Sequence, residues 1–309
     1  MREGLPGGGL RRREFLSTMA AASVCAGAGP NIGLSFGTYA HQMLNWEDSL
    51  ELIARTGYDG VEISLIPGWP TEPAQLSLRD RSRLRAMLVE HDLVVPALLE
   101  NLRIADPAHI PGENRERLLR AIELGQQIVP GTPPIFETVL GRRPGEWDDV
   151  RHQMVEEAGE LASVAEQGRT VFCFKPHVAH AVNDVHRSLW LLEQVGSPWF
   201  RCTYDYSHLW LAGLELVPTM EQLIPVSPYV HLKDAIREGD SHRFLLPGDG
   251  DTDYSELCSQ LLRLGFKGYA NVEVSAQIHR ELDYQPILTT RVCYERMAAA
   301  FESAGISRP

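Results

Sequence analysis

Seven short apolar runs in this chain end in groups that can hold a cation or move a proton. The runs "DGVEIS", "LVVPALLE", "PPIFETVL", "RTVFCFKPH", "FRCTYD", "YVHLKD" and "GYANVEVS" carry, at or near their ends, Glu62, Glu100-Asn101, Glu137, Lys175-Pro176-His177, Asp205, His231-Leu232-Lys233-Asp234 and Glu273. Taken singly, each has an ordinary explanation. Glu62 can cap a helix, Asp205 can open a turn, and a lone histidine is more often a satisfied polar group than a ligand. Their recurrence at the same end of successive strands points to one shared site. If the last three strands are neighbours, Asp205, His231 and Glu273 converge on one point. One aspartate, one histidine and one glutamate make an oxygen and nitrogen donor set suited to Mn²⁺, Co²⁺, Mg²⁺, Fe²⁺ or Zn²⁺, and unsuited to soft metals that prefer thiolates.

The elements that must position these groups alternate regularly. An eighth strand-like run, "NIGLSFGTY", precedes the others, and helical apolar spacing fills the gaps, as in Trp46 to Thr56, Leu78 to His91, Arg115 to Val129, Trp147 to Gln167, Asp184 to Val195 and Tyr254 to Leu264. Several helices stop at a glycine just before the next strand, as in "ARTGYDG", "AEQGRT" and "LRLGFKGY". Eight strands and at least seven helices predict an α/β fold, a single (β/α)8 TIM barrel; a doubly wound open sheet is the competitor. An open sheet would concentrate its chemistry at one switch point and show a Gly-rich phosphate loop after the first strand, and no such loop follows "GLSFGTY".

The first thirty residues stand apart. Arg12-Arg13-Glu14-Phe15-Leu16, a modestly apolar stretch and the small residues Ala26-Gly27-Ala28 resemble a twin-arginine export signal over residues 1–28, with the barrel in 29–309. The expected location is therefore periplasmic or extracellular, reached through the export machinery. The apolar run is too short for stable membrane insertion. The 309-residue chain has a formal net charge of −12, and removing residues 1–28 takes away four arginines and two glutamates, so the remainder is more acidic still. Such a surface repels a phosphate backbone, and no nucleic-acid partner is expected. Cys173, Cys202, Cys258 and Cys293 are widely spaced, without a CxxC pair, which argues against a disulfide framework.

With "GYDGVEI" at the second strand, "KPH" at the fifth, "YDYSHLWLAG" at the sixth, "YVHLKDA" at the seventh, "LPGDGDTDY" after it and "VEVS" at the eighth, the chain resembles the xylose-isomerase-like barrels. That family includes sugar epimerases, sugar isomerases, inosose dehydratase and barrel-type abasic-site endonucleases. The resemblance implies Asp205, His231 and Glu273 as metal ligands, and His208 as a histidine touching substrate or a second metal. It also implies a departure, because Lys175 stands where the family places a ligand glutamate at the end of strand five. His177, two residues on, is then the replacement ligand.

The expected chemistry is removal of a proton next to a carbonyl, with the charge of the resulting enediolate held by a Lewis acid. Glu273 is the expected base. Lys175 serves as a base only if its pKa falls toward neutrality; otherwise it stays charged and holds an anionic oxygen. Lys175, His177 and His208 are the candidate acids for a β-elimination, and Glu62, Glu137, Lys175, His208 and Asp234 the candidate substrate contacts. The activity expected is isomerase, epimerase or lyase chemistry on an unphosphorylated sugar, keto-sugar or cyclitol. The rivals are a degenerate sugar-binding barrel that has lost its metal and an abasic-site endonuclease, for which "DSH", Asp240 to His242, is the only added support. A homo-oligomer is compatible with the sequence. Lys233 is assigned to the helix layer, His180 to a loop, and His41, His109 and His152 to the surface.

Overall fold

The computed structural model describes residues 31–108, 110, 112–129, 131–239 and 241–309. The expected export signal, His109 and Asp240 of the "DSH" run lie outside the described residues.

Ten strands are described: β1 (Ile32–Gly37), β2 (Gly60–Ser64), β3 (Ala97–Leu99), β4 (Ile135–Thr138), β5 (Phe172–Phe174), β6 (Phe200–Asp205), β7 (Tyr229–Leu232), β8 (Asp234–Glu238), β9 (Ser241–Leu245) and β10 (Gly268–Val272). Eight of them close a parallel barrel in the order β1-β10-β7-β6-β5-β4-β3-β2, and β8 and β9 pair as a separate antiparallel hairpin. The (β/α)8 barrel read from the alternation of runs is the fold, and no switch point exists in a closed sheet.

Local chemistry explains the regular punctuation. The helix Trp46–Thr56 starts where the Asn45 side chain accepts the Asp48 N–H, and it ends at Gly57, whose φ of 106° suits glycine. The helix Leu78–Glu90 starts with a reciprocal capping box between Ser77 and Asp80. Successive side chains on each strand point to opposite faces. Phe136, Phe172, Phe174 and Phe200 occupy the outer face, are at most 1 % exposed and pack in a chain with centroid spacings of 5.0–5.8 Å. Between sheet and helices they form part of a continuous apolar core that includes Leu118, Met154, Leu161 and Leu191. The four described cysteines are buried and free. Among the described residues no helix is long and apolar enough to cross a membrane.

One expected element divides in two. "YVHLKD" stays in the barrel only through Leu232; after Lys233 the chain leaves as β8 and returns as β9. Asp234 holds the base of this excursion, accepting the N–H groups of Gly248 at 2.9 Å and Thr252 at 3.1 Å. Gly250 passes so close that a Cβ there would lie 2.6 Å from Asp234 Oδ1.

Candidate active site

The inner face of the barrel is where the strand-end residues meet. Glu62 on β2, Glu137 on β4, Asp205 on β6 and His231 on β7 point inward, as do Lys175 just beyond β5 and Glu273 just beyond β10. Their burial is nearly complete, with Glu273 the most accessible at 8 %. Asp205 and His231 lie opposite each other in the β6–β7 register. Gly37 makes room on β1, because a Cβ there would come within 2.9 Å of Glu62 Oε1. Asn271, two residues before Glu273 on the same face, donates to Glu62 Oε1 at 3.2 Å and accepts from Ser35 at 3.1 Å.

Lys233 also faces inward, contrary to its assignment to the helix layer. Its Nζ lies 2.9 Å from Glu273 Oε2, 3.0 Å from Asp205 Oδ2 and 2.9 Å from His208 Nε2. The period of two explains this: residue 233 shares its face with residues 231 and 229. Phe244 of β9 covers the lysine, with Nζ 4.7 Å from its ring centroid, and packs edge-on to His208 at 4.9 Å. Phe244 carries no signal in the sequence, whereas the inward side of Lys233 follows once strand alternation is carried two residues past His231.

The site's geometry is that of a charge network. Lys175 Nζ donates to Glu273 Oε2 at 2.5 Å and lies 3.6 Å from Glu137 Oε1 and 3.7 Å from Asp205 Oδ2. Burial works against its charge, but Glu273, Glu137 and Asp205 outweigh burial and raise its pKa above the ordinary lysine value. The three carboxylates thus favour its ammonium form over the free amine that a base would need. His231 sits between carboxylates: Nε2 is 3.0 Å from both Glu62 Oε2 and Glu137 Oε2, and Nδ1 is 2.9 Å from Glu273 Oε2. Burial opposes an imidazolium, yet Glu137 and Glu62 lift its pKa well above the usual histidine value. Burial likewise resists charge on Glu273, but Lys175 and Lys233 hold it ionised well below the usual range. Glu137 is lowered against burial by His231 and Lys175, whereas burial pushes Glu62 up to about 7.

His208 is fully buried, and burial, His177 and Lys233 push its pKa well below the ordinary value, so its imidazole is neutral. His177 stacks between His180 and His208, with centroids 4.1 and 4.0 Å away, and its Nδ1 accepts the Ala179 N–H. It does not share the cluster of converging donor atoms. Asp234 spends its oxygens on the loop after the hairpin and binds no histidine. Glu100 turns away to pair with Arg117. Tyr39 and Trp69 stack on each other at 5.2 Å, and His41 is buried, contrary to its assignment to the surface.

Among the described residues, two groups of side chains have donor atoms close enough to hold a metal ion, Glu62 with Glu137 and His231, and Asp205 with His231 and Glu273; in each, the atoms lie within 4.8 Å of one another. The second is the expected ligand set. As the side chains stand, the set does not fit a dication, because two ammonium groups already bridge it. Lys175 Nζ contacts Glu273 and His231 Nδ1, the latter at 2.9 Å, while Lys233 Nζ contacts Glu273 and Asp205. A dication about 4 Å from one ammonium would be repelled by about 8 kcal/mol at an effective dielectric of 20. Three basic side chains, Lys175, Lys233 and His231, already face three carboxylates, Glu137, Asp205 and Glu273.

Comparison with known proteins places this geometry in context. The chain is 22 % identical over 276 residues to fructoselysine 3-epimerase from Shigella flexneri, covering 85 % of this chain and 95 % of that protein. Its fold matches a probable 3-DHS dehydratase from Bacillus anthracis with a TM-score of 0.73 at 14 % identity, over 86 % of this chain and 99 % of the other. It also matches the IOLI protein with a bound zinc atom, with a TM-score of 0.69 at 19 % identity, over 89 % of this chain and 98 % of the other. The xylose isomerase-like TIM barrel model matches residues 50–288, from the first barrel helix to beyond the last strand, and the chain belongs to that family.

Proposed function

We propose that this protein is a sugar isomerase or epimerase, or a lyase sharing their first step, acting on an unphosphorylated keto-sugar, sugar or cyclitol. The observation that carries this reading is the mouth of the barrel, where Glu273 Oε2 receives Lys175, Lys233 and His231 together. A carboxylate so held is a weak base until its donors turn to something else. A ketone oxygen and its neighbouring hydroxyl are such acceptors. When Lys175 turns to them, Glu273 recovers its basicity and takes the proton from the adjacent carbon, while the ammonium groups hold the charge that develops on oxygen. Glu137 Oε1 and Oε2 and Asp205 Oδ2 lack a well-angled hydrogen bond among the described residues, and sugar hydroxyls satisfy such acceptors. Neutral His208, beside Lys233, carries a proton to or from the substrate.

The relatives support both outcomes of the shared enediolate, since one is named as a 3-epimerase and another as a probable dehydratase. A divalent metal was expected to supply the Lewis acid; the donor set as it stands holds ammonium groups there. Residues 1–28 support export by the twin-arginine route to the periplasm or beyond.

The test is hydrogen exchange. The purified protein, incubated with a panel of keto-sugars in D₂O, is expected to place deuterium beside the carbonyl of at least one of them, and Glu273→Gln to abolish it. Absence of both exchange and elimination across the panel would overturn the enzyme reading in favour of a sugar-binding barrel. Retention of a wild-type chain in the cytoplasm would overturn the export reading.

A further inference from the structure

We infer that Lys175 and Lys233 together replace the divalent cation: the protein's own paired ammonium groups, rather than a metal, bind the substrate's oxygens at the centre of this site. The inference rests on the proposed function for what those oxygens belong to, and on the geometry alone for the exclusion of metal.

The geometry is specific. Asp205, His231 and Glu273 present donor atoms within 4.8 Å of one another, the arrangement that would hold an ion. Both lysines reach that set from different strands. Lys175 enters after β5 and contacts Glu273 at 2.5 Å and His231 Nδ1 at 2.9 Å; Lys233 enters after β7 and contacts Asp205 at 3.0 Å and Glu273 at 2.9 Å. Glu273 Oε2 thus has both ammonium groups as immediate neighbours, the position a bridging cation would take. Neither lysine has an easy way out. They are 3 % and 4 % exposed, Lys175 is further held by Glu137, and the ring of Phe244 closes over Lys233. Two buried lysines facing a ligand set cost more than hydrophobic residues would, and their charges match those of the carboxylates they meet.

The chemistry needs no other reagent. The C–H bond next to the carbonyl breaks, its proton goes to the Glu273 carboxylate, and the electron pair moves through carbon to the carbonyl oxygen. That oxygen takes hydrogen bonds from the two ammonium groups. Return of that proton from Glu273 to the neighbouring carbon, while the proton of that carbon's hydroxyl passes to the former carbonyl oxygen, completes an isomerisation with no net oxidation.

The test titrates Mn²⁺ into chelator-treated, dialysed full-length protein and reads the free ion by electron paramagnetic resonance. Wild type is expected to leave Mn²⁺ free, and the Lys175→Gln/Lys233→Gln variant, whose melting curve shows whether it is folded, to bind it at least roughly tenfold more tightly. Chelator treatment is expected to leave wild-type hydrogen exchange unchanged. Stoichiometric Mn²⁺ binding by wild type, or loss of exchange on chelation restored by added metal, would overturn the inference, whether or not the variant folds. A protein that exchanges no sugar proton fails the proposed function only, and the wild-type titration then still decides between ammonium and metal.

Discussion

His231 and His41 are both buried imidazoles, 1 % and 2 % exposed, and the protein holds them in opposite states. His231 has carboxylate oxygens within reach of both nitrogens, and Glu137 and Glu62 at Nε2 favour its imidazolium strongly enough to outweigh both burial and the Lys175 ammonium 2.9 Å from Nδ1. His41 has hydroxyls: Nδ1 lies 2.7 Å from Ser49 Oγ and Nε2 2.8 Å from Thr290 Oγ1. Thr290 spends its own proton on the Pro286 carbonyl, so it accepts from His41 Nε2–H, and Ser49 donates to Nδ1. Burial and the distant charge of His279 lower the His41 pKa to about 3. Both rings are buried, and burial opposes charge on each. What differs is whether the surroundings supply opposite charge. The barrel mouth sustains ions in a dry interior because each is countered, and the corner beside the helix Trp46–Thr56 sustains a polar ring because it is neutral.

The sharpest way to break the charged corner is to remove one of its ions. Lys175→Met should cut hydrogen exchange on a responsive keto-sugar by about 10²–10⁴-fold, the range for loss of one positioned catalytic group. It should also destabilise the fold by about 3–5 kcal/mol, since Glu273, Glu137 and Asp205 lose a buried countercharge. Exchange kinetics together with urea unfolding measure both. Unchanged exchange would remove Lys175 from the mechanism.

The comparison can be sharpened without mutation. Nitrogen chemical shifts of the two rings should differ in kind at pH 7, with His231 showing two protonated nitrogens and His41 only Nε2–H. A neutral His231 would mean that Glu62 and Glu137 do not both act on it as carboxylates.

The charged corner was largely legible before folding, and the neutral one was not. Glu62, Glu137, Lys175, Asp205, His231 and Glu273 sit at the ends of strand-like runs, and a closed parallel barrel brings such ends together whatever the intervening helices do. Lys233 carried the same signal through its parity with His231. Asp234 has the opposite parity and was misread as a site residue because it follows the same motif. Where side chains turn after a strand ends is set by the excursion itself: the β8–β9 hairpin brings Phe244 over Lys233, and nothing in "SHRFL" announces that contact. His41 pairs with Thr290, 249 residues away, through packing that no local pattern encodes.

The neutral corner predicts a pH dependence. Unfolded, His41 has an ordinary pKa of 6.5; folded, it is lowered to about 3. Below pH 6.5 the unfolded chain binds a proton that the folded chain refuses, so this contribution to stability is lost as pH falls from about 6.5 toward 3. At pH 5 the loss should be about 2 kcal/mol relative to neutral pH. His41→Gln removes the titrating group, so the stability difference between wild type and variant should shrink by that amount between pH 7 and pH 5. Parallel curves would show that His41 is protonated in the folded state.

Asp234 tests whether countercharge or hydrogen bonding keeps a third buried polar group in place. It is fully buried, and its oxygens accept the backbone N–H groups of Gly248, Thr252 and, at 3.3 Å, Ala235. These are the bonds that fix the loop after the hairpin, and the carboxylate uses both oxygens as acceptors. Asp234→Asn keeps the shape but turns an NH₂ toward one set of donors. The expected cost is about 1–3 kcal/mol, that of unsatisfied buried donors. Because the hydrogen bonds of Asp234 among the described residues go to backbone N–H groups and not to the side chains around Glu273, exchange measured at saturating sugar should stay within about threefold of wild type, a change of under ~1 kcal/mol. A larger loss of exchange than of stability would mean that the loop from Pro247 to Thr252 positions substrate, and that the hydrogen-bonded support reaches into the chemistry of the charged mouth.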